Sequence, residues 1–555
     1  MSLLTSSLFP VTLLTLALHL LFFIPIANGQ NVGDDHPIWV QGALEGATAA
    51  DNTYNTGGTI TVNGFTMNVP KNLLVQFPAA WVPWKDFVGN KTNFLGFETL
   101  VMGNTIEFEP RVGQIVITEF FEGENFGMIQ SINYTDGSMQ IQNGPRIRIS
   151  DPNAVFSVGY DGAPMMTADD QSPSITSFSG FPMCIPRNAS DPLCPLSNRP
   201  GATSPSGNRI GIFNAPDPYV AAPFLPGDFI VFSGFRRRAS NPPLPQPSAI
   251  QPIRPIPTKL AVPDEIIAYS IVAQNVQINT PLSSGVVYVR MVLALLGIWN
   301  PNPITELADS RLIGYTSNPA ATILLYALDI DPCSGEIIER IIASVGLRGG
   351  RNFENKFEYR AEILFGYTRE YKAVVLIDGR PLTKVTKNGF LAGTYVQPVN
   401  VWVPGEQDIP GMEPPTFDFT QMEFLTKGVG PDRDGNIWGP LDPFPQVGPG
   451  VPIGPPDCTG LLRRIEPRGG NGTQTGEEGA ESKRMPLTKR RTFGGRIAPY
   501  KVNAVADGEN KRTEEADVRV APDQLRAIEE KKRLDDAKEV SAIWSADLVD
   551  VDESV

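Results

Sequence analysis

The sequence predicts a mainly β protein assembled from tandem small barrel and sandwich units. Three observations carry this. The 555 residues include 52 glycines and 52 prolines, well above average usage, which supplies turns at a density no helical bundle tolerates. Only 19% of residues are charged while 41% are hydrophobic, so most of the chain can bury a core. Apolar and polar residues alternate with period two in many short runs bounded by turn formers, the pattern of half-buried strands.

The N-terminus comes first. Residues 1–29 hold an apolar stretch from Leu13 to Ile24 closed by Ala27-Asn28-Gly29, small residues where a signal peptidase reads. Cleavage before Gln30 and secretion are expected. A retained anchor is the alternative, because the leader has no Lys or Arg ahead of its apolar stretch. No membrane span is expected after signal removal, since Val286 to Trp299 is short and interrupted by Arg290.

Residues 30–56 read as a polar lead-in. At 57–160 a first barrel or sandwich unit begins with Thr59 to Val62, the turn Asn63-Gly64 and Phe65 to Val69, a strong hairpin signal. Strands follow at Gly113 to Phe121, Gly127 to Tyr134, Ser138 to Gln142 and Pro145 to Ile149, interrupted by the aromatic segment Trp81 to Phe97. The spacing looks like an OB-type barrel. A loop-rich connector is expected at 161–223 and a second β unit at 224–284, faintly repeating the first. Seven alternating runs over 285–405 give the count of an immunoglobulin-like sandwich, although a helix is the rival reading for Ile337 to Val345. A Pro/Gly-rich segment fills 406–458. The charged tail, 459–555, is too poor in apolar residues to offset its ordering entropy and is expected to be disordered.

Four cysteines suit an oxidising compartment, with Cys184 paired to Cys194 and Cys333 to Cys458; a zinc site is the rival, and has no histidine to help it. N-glycosylation sequons stand at Asn90, Asn133, Asn188 and Asn471.

Chemistry is bounded by histidine. There are two, and His19 lies in the leader, which leaves His36. Serine and cysteine nucleophile systems and most catalytic metal sites draw on imidazole and are disfavoured. A net charge of −14 repels phosphate backbones, so nucleic acid is not an expected partner. No phosphate loop, dinucleotide turn or HExxH occurs. Carboxylate chemistry has one candidate, the cluster Glu107, Glu109, Glu119, Glu122 and Glu124 interleaved with Phe108, Phe120, Phe121 and Phe126; alternation on a half-buried sheet accounts for the same pattern. Asp432, Asp434 and Asn436 place oxygens at alternate positions, as calcium loops do, but lack the later glycine and glutamate; Asp329 and Asp331 are a weaker case. Calcium is thus the one cofactor in view. The basic run Arg236 to Arg238 and the tail's dibasic pairs read as processing sites or solvated loop.

The segments Arg311 to Tyr315, Asp329 to Gly335, Tyr367 to Tyr371 and Ala392 to Pro398 resemble large exported proteins of filamentous fungi, over about residues 57–405. The resemblance implies a source and a compartment, and carries over no site. The expectation is therefore a secreted, non-catalytic β glycoprotein that binds an extracellular protein, a glycan or a small aromatic metabolite. The alternatives are an auxiliary protein of a fungal secondary-metabolite pathway, holding a polyketide or pigment precursor for a partner oxidase, and a carboxylate glycoside hydrolase. N-terminal sequencing of exported protein should read from Gln30; finding Met1 there overturns the export reading.

Overall fold

The computed structural model describes residues 35–78, 80–118, 125–160, 165–200, 211–237, 265–297, 310–348, 355–361, 367–403, 414–446 and 458. The protein is mainly β, in several sheets. The signal region, the tail beyond Cys458 and Asn471 lie outside the described residues.

The first sheet starts earlier than the lead-in reading allows. Strand β1 (His36–Ala49) runs for 14 residues and pairs with β2 (Gly58–Val62) and with β6 (Glu98–Ile106). Its buried positions Val40, Leu44 and Ala47 break period two because a bulge falls between Leu44 and Gly46, which is why alternation alone misses it. Before the bulge β1 faces β6; after it, β2. The hairpin of β2 and β3 (Phe65–Val69) turns at Asn63-Gly64, both with positive φ as a type I′ turn requires. Strand β7 (Glu109–Ile117) pairs with β6 and, in parallel, with β3, closing a ring. Strands β4 (Leu74–Phe77) and β5 (Ala80–Pro83) extend it beyond β7. The aromatic segment contributes helix α1 (Trp84–Asn90), whose Trp84 and Phe87 pack with Phe77 and Phe94 against the barrel, while Trp84 Nε1 donates to the Thr48 carbonyl at 3.1 Å.

A second ring repeats the first. Strands β8 (Asn125–Asn133), β9 (Ser138–Ile141) and β10 (Arg146–Ile149) form a meander. It closes through β12 (Phe229–Arg237) and β13 (Glu265–Ala273), with β10 parallel to β13 and β8 antiparallel to β12. Strand β11 (Ile175–Ser177) then pairs parallel with β13, as β4 does with β7. The strands at 125–149 thus belong with 229–273, across the loop-rich connector. Detail repeats too. Like β1, β8 passes from one neighbour to the other at a bulge, between Ile129 and Ser131. Strands β7 and β13 both carry a bulge, at Gly113 and Tyr269, opposite a glycine of the preceding strand, Gly103 and Gly234, where a β carbon would overlap the carbonyl oxygens of Arg111 and Ile267.

The third unit is a sandwich. One sheet runs β18 (Lys356–Ala361), β15 (Ser310–Thr316), β14 (Val289–Gly297) and β21 (Val401–Val403). The other runs β17 (Ile337–Val345), β16 (Thr322–Ile330), β19 (Glu370–Ile377) and β20 (Thr394–Pro398). Residues 337–345 are therefore a strand. Ile323, Leu325 and Ala327 face the core, while Leu324 packs with Val374 and Leu376 on the opposite face. The last strand crosses between sheets at Asn400, whose Oδ1 accepts from Ala294 N at 2.7 Å.

Residues 414–446 return to the first barrel. Buried Asn104 exchanges hydrogen bonds with Phe417 and donates to the Pro445 carbonyl at 2.6 Å. One hydrophobic core joins the first barrel, the sandwich and this segment; a second fills the other barrel with its connector. Cys184 bonds to Cys194 within that second core, and Cys333, at the β16–β17 turn, bonds to Cys458. Replacing Gly103 or Gly234 with alanine should cost about 1–3 kcal/mol in chemical denaturation, because neither neighbouring carbonyl can move without opening its ring. Unchanged midpoints in both variants would contradict this account of closure.

Candidate functional site

A cleft of about 490 Å³ opens where the three units meet. Each unit brings a segment that its own topology leaves at the junction. The first barrel gives Gln76 to Pro78 and Val116 to Thr118, where β4 runs beside β7. The second gives Ser172, Ser174 and Phe178 around β11, and Tyr269 to Gln274 from β13. The sandwich gives Arg290 to Val292, Tyr315 and the sheet crossing at Tyr395 to Val401.

Hydrogen bonds across the units fix its walls. The hydroxyls of Thr118 and Tyr269 lie 2.6 Å apart, joining the two barrels. Gln76 Nε2 donates to the Val399 carbonyl at 2.7 Å, joining the first barrel to the sandwich. Ser172 Oγ accepts from Val396 N at 2.9 Å, joining the second. On one wall the rings of Phe178 and Tyr315 are 4.4 Å apart. Arg290 donates to the Phe178 carbonyl at 3.2 Å and lies 5.6 Å from the Tyr315 ring centre. The lining carries one carboxylate among the described residues, Asp169, whose Oδ1 accepts from the backbone of Gln171 and Ser172. Hydroxyls, amides and aromatic rings stand there among aliphatic side chains such as Val116, Ile117 and Val292, with Arg290 against the one carboxylate, so the surface can donate and accept without a net anionic field.

Among the described residues, none of those nominated from sequence lines this cleft. Glu107 and Glu109 sit in the exposed β6–β7 turn, where Glu107 and Phe108 both have positive φ and Glu109 pairs with Arg111 at 3.4 Å. Phe126 is exposed on β8 beside Phe229. Glu119, Phe120, Phe121, Glu122 and Glu124 lie outside the described residues. His36 opens β1 at the surface. Arg237 reaches the buried Glu265 at 3.9 Å, so part of the basic run lies in strand β12; Arg238 lies outside the described residues. Asn133 and Asn188 are exposed, each accepting from the backbone N–H two residues on, and Asn90 ends α1.

The aspartate loops are occupied by their own backbone. Asp432 accepts from the N–H groups of Asp434 and Asn436, from Asn436 Nδ2 at 3.0 Å and from Trp438 Nε1 at 3.2 Å. Partial burial pushes its pKa up, but these hydrogen bonds outweigh it and hold the carboxyl below the usual range. Asp331 likewise accepts from the N–H groups of Cys333 and Ser334, and Asp329 binds Arg340 through both oxygens. No group of three or more metal-type ligands occurs among the described residues.

One cleft residue did leave a signal in the sequence. Arg290 interrupts the apolar run Val286 to Trp299, and a charge in a buried strand needs a polar partner. Tyr269, Tyr315 and Tyr395 left none, because an aromatic on a strand reads equally as core.

Because the folded pKa of Asp432 is depressed, its contribution to stability is present above about pH 4 and is lost as pH falls through the lowered value. Asp432→Ala should cost about 1–3 kcal/mol at pH 7, with the gap to the parent closing in acid. Millimolar calcium should leave the melting temperature of the parent unchanged; a calcium-dependent rise would show that the loop opens to take the ion. Compared with known protein families, curated proteins and solved structures, the chain matches none.

Proposed function

We propose that the protein is a secreted, non-catalytic binding protein whose three-unit cleft takes a neutral polyhydroxylated ligand such as a short oligosaccharide. The cleft's lining carries this reading. A volume of about 490 Å³ falls in the range of small-ligand sites. Serine, threonine, asparagine, glutamine and tyrosine side chains match sugar hydroxyls, which donate and accept alike, and aromatic rings suit the apolar faces of a pyranose. Glycoside hydrolysis needs two carboxylates facing one bond, about 5–10 Å apart. Asp169 is the one carboxylate of the described lining, so binding fits the site better than bond cleavage.

Architecture adds support. Each ring shares its first strand between two neighbours and sets its third strand parallel to its fifth, the connectivity of an OB-type barrel, a fold used for oligosaccharides among other ligands. The two sheets of the third unit divide their strands as immunoglobulin-like domains do. Two disulfides, and the absence among the described residues of a helix long and apolar enough to cross a membrane, are compatible with an extracellular setting. The leader and the sequons support export with N-glycosylation.

A flat aromatic metabolite is the second reading, favoured by the Phe178 and Tyr315 rings on one wall. Calorimetry with neutral di- to tetrasaccharides and with planar phenolic compounds separates the two. Saccharides should bind, and Tyr315→Ala should weaken them about tenfold, the equivalent of about 1.4 kcal/mol. Binding of phenolics alone transfers the site to the second reading; saccharide binding unaffected by the substitution would place the ligand elsewhere.

A further inference from the structure

A second, smaller void lies between the first barrel, the sandwich and residues 424–441. Arg369 borders it, is only 4% exposed, and sits with its guanidinium carbon 4.8 Å from the centre of Trp81 and 6.0 Å from that of Phe424. Its Nε and Nη1 are buried and reach no acceptor. Among the described residues no carboxylate stands at ion-pair distance from it, and none lines the void. Burial draws its pKa down to about 10 against the pull of neighbouring Glu370, so the group stays charged at neutral pH.

A buried charge with unfilled donors is costly, and two ring faces offset only about 1–2 kcal/mol of it. The space beside the guanidinium is about 30 Å³, more than one water molecule needs. Gln114 lines the same space and its Oε1 has no partner, while its Nε2 rests 3.3 Å from Met422 Sδ. The two ends of an amide exchange by a simple rotation. Turned about, Gln114 would add its NH₂ to the arginine's donors. Water would satisfy the amide and leave the guanidinium with only the through-space pull of Glu370; an anion in the void satisfies the donors and the charge by direct contact.

We infer that Arg369, with Gln114, holds a small monatomic anion, chloride in ordinary media, in the void between Trp81 and Phe424. The ion would lock the sandwich to the first barrel and to residues 424–441, independently of any ligand in the larger cleft.

Two measurements on the full chain test this. Crystals grown in bromide should show an anomalous peak beside Arg369 Nε and Nη1. Replacing chloride with gluconate at constant ionic strength should lower the melting temperature by about 2–4 °C in the parent and not in Arg369→Met. A non-anomalous water at that position, or a melting temperature indifferent to halide, overturns the proposal. Should Arg369→Met fail to fold, the bromide map of the parent decides alone.

Discussion

Closing a five-strand ring demands that backbones approach more nearly than a side chain permits, and the structure depends on meeting that demand twice. At Gly103 and Gly234 the fourth strand of each barrel lies against a carbonyl of the bulged fifth strand, leaving no room for a β carbon. The bulge sharpens the local twist and bends the fifth strand. With the rings closed, few strand edges remain for stray pairing. Equivalent bulges in β1 and β8 let one strand serve two neighbours. The two closure devices thus stand at matching positions in both rings.

Those rings then serve as walls. The cleft exists because three units present strand ends to one another, with Thr118 on Tyr269, Gln76 on the Val399 carbonyl and Ser172 on Val396 N as the cross-links. Residues 414–446 hold the outer side, where Asn104 is fully buried yet engages Phe417 and Pro445 with both ends of its amide. Phe419 enters next to Gly113, where a β carbon would stand 2.7 Å from its ring. A Pro/Gly-rich stretch thus supplies packing.

How much of this was legible depends on whether the signal is local. Period two at Thr59 to Val69 and across 310–377 was local, and so were the turns Asn63-Gly64 and Asn143-Gly144; strand content could be read directly. The first strand was hidden because its small residues, Gly42, Gly46 and Ala47, blur alternation around a bulge. Ring membership was hidden because Arg146 to Ile149 pair with Glu265 to Ala268, over a hundred residues away, and no short window encodes that register. The site suffered most. Clusters such as Glu107 to Glu109 or Asp432 to Asn436 attract notice because they are contiguous, yet they form exposed or self-satisfied turns. The cleft is made of single residues from three units, each unremarkable alone.

The bond from Cys333 to Cys458 encloses the later strands of the sandwich, β17 to β21, and the segment behind them in a covalent loop that spans a sequence separation of 125. A protease cutting once between those cysteines would open the backbone without releasing either piece. A nicked molecule would then differ from an intact one by a single added water until a reductant separated its pieces. Losing the charged tail after Cys458 would leave that loop intact.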